Sequence, residues 1–230
     1  MDKRLQRLGI GLVFIGIAFF AAGGYTYVKT QAGAHALQTF SAAQNVTLKY
    51  NDQGQLVDGG KTEGAAAIMS LLTNDWGYAV DTSELNPNDP LVNTASEYMY
   101  QMATISYHTL HAATTVTFPT DVVVDGKVVQ AAGTYDFQNN GKYWTGFDRT
   151  NPIEAAAREK VWTGTALALI GELGVGSVTA SALQMGLGLA VLFALVGLTV
   201  ILTGLGLVWA TRSATEKVKA PAFRPVANPA

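Results

Sequence analysis

The chain has 230 residues, 49% hydrophobic and 14% charged, with a formal net charge of -2 and no cysteine. The missing cysteines exclude disulfides, thiolate metal sites and thiol nucleophiles. The charge balance, with no basic patch, gives nucleic-acid recognition no support, and no glycine-rich phosphate cradle or serine elbow supports nucleotide binding or serine hydrolysis.

The first seven residues carry Lys3, Arg4 and Arg7 and are expected to be cytoplasmic. Residues 8–28 then run for 21 positions without a charge, about 31 Å as a helix and so one bilayer core. A cleaved signal peptide is the alternative, because Ala32-Gly33-Ala34 and Ala34-His35-Ala36 have the small-x-small form. The run exceeds the roughly 7–15 residues of a usual signal core, so an uncleaved anchor is expected.

Residues 29–183 form the intervening domain. Pro90 to Tyr100 aligns with Pro152 to Trp162 at a constant offset of 62, and Val46-Thr47-Leu48 and Val116-Thr117-Phe118 precede these segments as strand-like triplets. Each triplet is followed by Asp-Gly, at 58–59 and 125–126, a dipeptide that favours tight hairpins. The spacing predicts two divergent hairpin-plus-helix units, 45–113 and 115–183, in one α+β domain, with a chance resemblance as the alternative. Asp89-Pro90 and Asn151-Pro152-Ile153-Glu154 predict helix starts. The first helix, to about Ala113, is expected to place Leu91, Ala95, Met99, Met102, Ser106 and Leu110 in the core. The second is expected to run towards the membrane through Gly164, Gly171, Gly174 and Gly176, where it either breaks or continues.

No ionisable residue occurs between Glu172 and Arg212, and residues 184–211 are expected to cross the membrane a second time. Residues 212–230, with Arg212, Lys217, Lys219, Arg224 and a proline-rich end, are expected to form a flexible cytoplasmic tail. Bases flank both spans on one side, whereas residues 29–183 hold 8 bases against 15 acids. Both termini are therefore expected in the cytoplasm and the α+β domain outside the cell membrane. Tyr25, Tyr27 and Trp209 fall where amphipathic rings favour the interface.

Gly9, Gly16 and Gly23 recur every seven residues in the first span, and Ala190, Gly197, Gly204 and Thr211 do so in the second. Such stripes let helix backbones approach, and the two spans are expected to pack antiparallel. A partner helix from another subunit could use the same stripes.

Chemistry-bearing constellations are sparse. His108 and His111 share a helical stripe with Glu97, but Glu97 is three turns, about 16 Å, from His108, too far to complete a two-histidine, one-carboxylate metal site. Asp121, Asp125 and Asp136 lack the spacing of a calcium loop. Asn45-Val46-Thr47 matches the glycan-acceptor pattern, which is common by chance. No catalytic residue, metal or cofactor is expected. Glu97, Tyr100, Tyr107 and His111 fall on one helical arc, with Glu159 and Trp162 at the positions matching Glu97 and Tyr100, and this polar, aromatic face is expected to bind a partner. Trp76 with Gly77 and Tyr78, and Trp144 with Tyr143 and Phe147, are aromatic clusters that serve either core packing or contact.

The segment Ala22-Gly23-Gly24-Tyr25-Thr26-Tyr27-Val28, the Asn88-Asp89-Pro90 helix start and the Met185-Gly186-Leu187-Gly188-Leu189 helix entry resemble a family of actinobacterial membrane proteins with two spanning helices around an external domain. The resemblance implies a location rather than a chemistry. The expected function is that of a non-enzymatic accessory subunit, touching membrane lipid and other membrane protein subunits and presenting its external domain for contact. An envelope-facing binding module for a lipid, glycan or peptide, and a membrane-anchored enzyme, are the alternatives.

Overall fold

A computed structural model describes residues 2–217. Its elements are α1 (Asp2–Gln44), α2 (Thr62–Ser70), α3 (Ala95–Leu110), β1 (Ala113–Phe118), β2 (Val122–Val124), β3 (Lys127–Gln130), β4 (Gly133–Gln138), α4 (Pro152–Val161) and α5 (Gly164–Lys217). The chain divides into two compact units: the chain up to Ala34 with that from Leu183 onward, and His35–Ala182.

In the first unit, α1 and α5 are long and apolar enough to cross a membrane. Both exceed their expected bounds, because α1 runs on to Gln44 and α5 starts at Gly164. The small residues face each other in antiparallel register. A Cβ on Gly9 would lie 2.7 Å from the Gly204 carbonyl oxygen, one on Gly16 2.7 Å from that of Gly197, and one on Gly23 2.9 Å from that of Ala190. The atoms met are backbone, so only residues without a protruding side chain permit this approach. Phe19 and Phe193 close the same seam, with ring centroids 6.1 Å apart. Phe14, Ile15, Leu195, Leu202 and Trp209 are exposed. Residues 212–217 continue α5 as helix. The proline-rich segment 221–230 lies outside the described residues.

In the second unit α3 is the central element. Its N-terminus is built by Thr94 and Glu97: the Thr94 hydroxyl accepts from the Glu97 backbone N–H, while the Glu97 carboxylate accepts from the backbone N–H groups of Asn93 and Thr94, each at 3.0 Å. This capping box starts the helix five residues after the expected Pro90. Pro90 is taken instead by extended pairing, since its carbonyl accepts from the Leu48 N–H at 2.8 Å and Val92 N–H donates to Val46 at 2.9 Å. The helix is buried on more than one side, with Ala95, Tyr98, Tyr100, Ala103 and Leu110 all in the core. Leu48, Ile68, Leu72, Val92 and Leu173 pack around it.

Gly176 in α5 has a packing role here. A Cβ on it would lie 2.6 Å from the Tyr98 ring, and that ring is pinned by a 2.6 Å hydrogen bond between its hydroxyl and Ser41. The glycines of this region therefore do not break the helix. The break falls at Trp162 and Thr163, where the Thr163 hydroxyl accepts from Ala166 N–H at 3.1 Å and restarts the chain as α5. The expected start of α4 at Pro152 is the observed one, with the Asn151 side chain accepting from Ile153 and Glu154 N–H. Glu154 does not complete a capping box. Its carboxylate holds Lys142 at 2.6 Å and Asp148 N–H at 2.9 Å, and the Lys142 bond leads in drawing its carboxyl below the usual range.

The two expected repeats fold differently. Residues 45–113 contain only isolated bridges, Thr47 to Leu91, Tyr50 to Leu56 and Asp58 to Lys61. Residues 115–183 contain a long antiparallel arm in which β1 pairs with β4 and, beyond a kink, β2 pairs with β3. Asp125 and Gly126, both at positive φ, close its tip in the tight turn that their dipeptide predicts.

Candidate functional site

Burial redistributes the residues expected to form a partner-binding face. Glu97 is 1% exposed, Tyr100 3% and Trp162 4%, so these three belong to the interior. Glu97 caps α3, and burial raises its carboxyl above the usual range against the opposing bonds from Asn93 and Thr94. Trp162 donates from its indole to the Lys142 carbonyl at 3.0 Å and stacks on Tyr143 with centroids 5.9 Å apart. The helical arc failed as a guide to surface because α3 is enclosed by α2, by residues 46–58 and by α5 residues within the unit. Glu159, the counterpart of Glu97, stays at the surface with Arg158 at 2.7 Å.

The remaining aromatics do meet. Trp76 donates from its indole to the Tyr143 hydroxyl at 2.7 Å, and Tyr107 lies against His111 with centroids 4.2 Å apart. Trp76, His111 and Tyr143 line one open depression with Leu71 and Leu110. Trp144 lies apart from it, under the Arg158 guanidinium at 4.2 Å. The two histidines of the considered metal site have other partners: His108 Nε2 bonds Asp58 at 2.9 Å, and His111 Nδ1 bonds the Tyr107 carbonyl at 2.8 Å.

The surface feature that sequence reasoning passed over is the distal half of the β arm. Val123, Val124, Val128 and Val129 are 55%, 52%, 57% and 45% exposed. Val123 and Val128 are cross-strand partners, and their neighbours Val124 and Val129 project to the other side of the ribbon. Both faces are thus apolar and open. The proximal half is different, because α4 packs on β1 and β4 and Lys160 donates to the Thr115 carbonyl at 2.7 Å. A two-stranded hairpin is marginal in water, and its outer edges leave backbone donors and acceptors free. The sequence signal was available, since Val122-Val123-Val124 and Val128-Val129 bracket the tight Asp125-Gly126 turn, with Lys127 the one charged strand residue between them.

Comparison of the chain with protein-family models, with curated proteins and with solved structures gave no match.

Proposed function

We propose that this chain is an integral membrane accessory subunit whose two packed helices hold the His35–Ala182 unit on the outer face of the cell membrane, where the valine arm docks on another membrane protein. The single observation that carries the reading is the arm itself: four exposed valines on both faces of a two-stranded ribbon. These valines are about half exposed, so covering one is favourable by about 1 kcal/mol, and a partner that covers the ribbon gains this for several of them. The outward placement is supported by the basic residues flanking the two spans and the acidic excess between them. The resemblance to actinobacterial two-span proteins agrees with that location.

The test is purification of the full chain in mild detergent, comparing it with the double variant Val123→Thr, Val128→Thr. Threonine keeps the β-branched shape and strand propensity but removes apolar area. The reading expects one membrane protein to co-purify in fixed stoichiometry and to be lost from the variant, with thermal unfolding of the variant unchanged. A partner retained by the variant, or no stoichiometric partner for the parent chain, contradicts it.

A further inference from the structure

The open depression lined by Leu71, Asp75, Trp76, Leu110, His111 and Tyr143 has a volume of about 730 Å³, within the range of small-molecule sites. Its aromatic wall is locked before any ligand arrives. The Trp76 indole N–H is spent on the Tyr143 hydroxyl at 2.7 Å, and the Tyr143 ring stacks on Trp162 with centroids 5.9 Å apart. Tyr143 nevertheless stays 44% exposed and Trp76 is half-buried, so both rings keep surface that a ligand can touch. Asp75 and Trp76 are presented by a π-helical turn, Leu71–Asp75, which the Trp76 N–H closes on the Leu71 carbonyl at 3.0 Å. Turns of this kind are rare and occur frequently at functional sites.

The charges select the ligand. Asp75 is exposed, and its carboxylate has no hydrogen-bond or ion-pair partner among the described residues. No lysine or arginine lines the depression, and Lys142, between the lining residues Gly141 and Tyr143, is held by Glu154 at 2.6 Å. His111 gives its Nδ1–H to the Tyr107 carbonyl at 2.8 Å, since a carbonyl can only accept. An anion would therefore meet Asp75 with no lysine or arginine to offset it. A cation meets a free carboxylate and the rings of a tryptophan and a tyrosine, whose quadrupoles attract positive charge within about 6 Å of the centroid. The excess of 15 acids over 8 bases in residues 29–183 draws cations to the same domain. Leu71 and Leu110 add apolar lining, which suits methyl groups around the charge and so a quaternary ammonium rather than a primary amine.

We propose that this depression binds a quaternary ammonium group, with the Trp76 and Tyr143 rings as its aromatic wall and the Asp75 carboxylate as its counter-charge. This goes beyond the docking reading and does not depend on it, because the depression and the valine arm share no residue. Free choline-type solutes and phosphocholine headgroups carry the same cation, and the probes distinguish them. The experiment uses the full chain in a maltoside detergent and saturation-transfer NMR titrations with tetramethylammonium, choline, glycerophosphocholine and the uncharged tert-butyl analogue of choline. Choline and tetramethylammonium are expected to bind with a Kd on the order of millimolar, and the uncharged analogue about fivefold more weakly or not at all. Glycerophosphocholine that binds at least as tightly as choline identifies a headgroup as the source, and weaker binding identifies a free solute. Asp75→Asn, a change at an exposed side chain, is expected to weaken choline by about threefold while leaving the uncharged analogue unmoved. Tyr143→Leu serves as a second variant, with a weakening of about threefold for the loss of one ring. Failure of both cations to bind at about 50 mM, far above a millimolar Kd, overturns the proposal. So does equal binding of the uncharged analogue, or unchanged choline binding by Asp75→Asn, or by Tyr143→Leu should the first variant not fold.

Discussion

Replacing Gly16 or Gly197 by leucine drives a side chain into the closest approach of the two long apolar helices. A Cβ on Gly16 would stand 2.7 Å from the Gly197 carbonyl oxygen and 2.7 Å from Ile201 Cγ1, and one on Gly197 would stand 2.6 Å from the Phe20 backbone nitrogen. Ordinary contact begins at 3.4 Å, so the helices must separate by about 0.7 Å, which forfeits a quarter to a half of each contact across the seam. With some tens of contacts worth about 0.1–0.2 kcal/mol each, the loss is about 1–2 kcal/mol. The leucine branches add strain, giving about 1–3 kcal/mol in all. Lipid offers the displaced side chain no compensating hydrophobic gain between helices. The controls are Gly11→Leu and Gly206→Leu, which have no neighbour within 4 Å of the added Cβ and should be neutral. The assay is unfolding of the full chain by sodium dodecyl sulfate titrated into mild detergent micelles. Equal midpoints for all four variants and the parent would refute the backbone-contact argument.

Three further outcomes are expected. Because burial raises the Glu97 carboxyl in the folded state, its protonated form is favoured by folding, so its contribution is fully present below the unfolded pKa and is lost as pH rises through the raised folded value. Glu97→Gln keeps a side chain able to close the capping box and should gain stability relative to the parent from acid to neutral pH, whereas Glu97→Ala should lose about 1 kcal/mol; parallel pH curves for parent and Gln variant in thermal melts would sink this. Gly176→Ala should destabilise the chain by about 1–3 kcal/mol, because the pinned Tyr98 ring stands 2.6 Å from the new Cβ; an unchanged melting temperature would count against that packing. For topology, single cysteines at Asn88 and Lys127, both exposed, should react with an impermeant maleimide in intact cells, while one at Ser213 should react only after lysis. Labelling at Ser213 in intact cells would reverse the orientation.

The two long apolar helices were legible because they rest on one strong signal, long uncharged apolar runs, and their antiparallel packing because a heptad of small residues can be read directly. The start of α4 at Asn151-Pro152 was legible for an equally local reason. The start of α3 was not, since Asp89-Pro90 has the local form of a helix start, and only tertiary pairing of residues 90–92 with 46–48 assigns it to extended chain. The rival signal, Thr94 with Glu97 three residues on, was present in the sequence but competes with a proline that looks stronger. Burial of Tyr100 and Trp162 was illegible because an amphipathic arc shows which side of a helix is polar, not how many neighbours enclose it. Glu97 misled in the same way, as a buried carboxylate held by its own backbone reads in sequence like a surface charge. The valine arm was overlooked because apolar residues beside a tight turn read as a core strand, and only the three-dimensional placement shows them exposed.

The central claim is that the valine arm is a docking surface on the outer side of the membrane, and in-cell photo-crosslinking tests it most directly. A photoreactive amino acid placed at Val128, irradiated in living cells, should join the chain to one membrane protein, while the same probe at the exposed Glu63, on α2, should not. Adducts to lipid or to no defined protein at Val128, or the same adduct from both positions, would contradict the account.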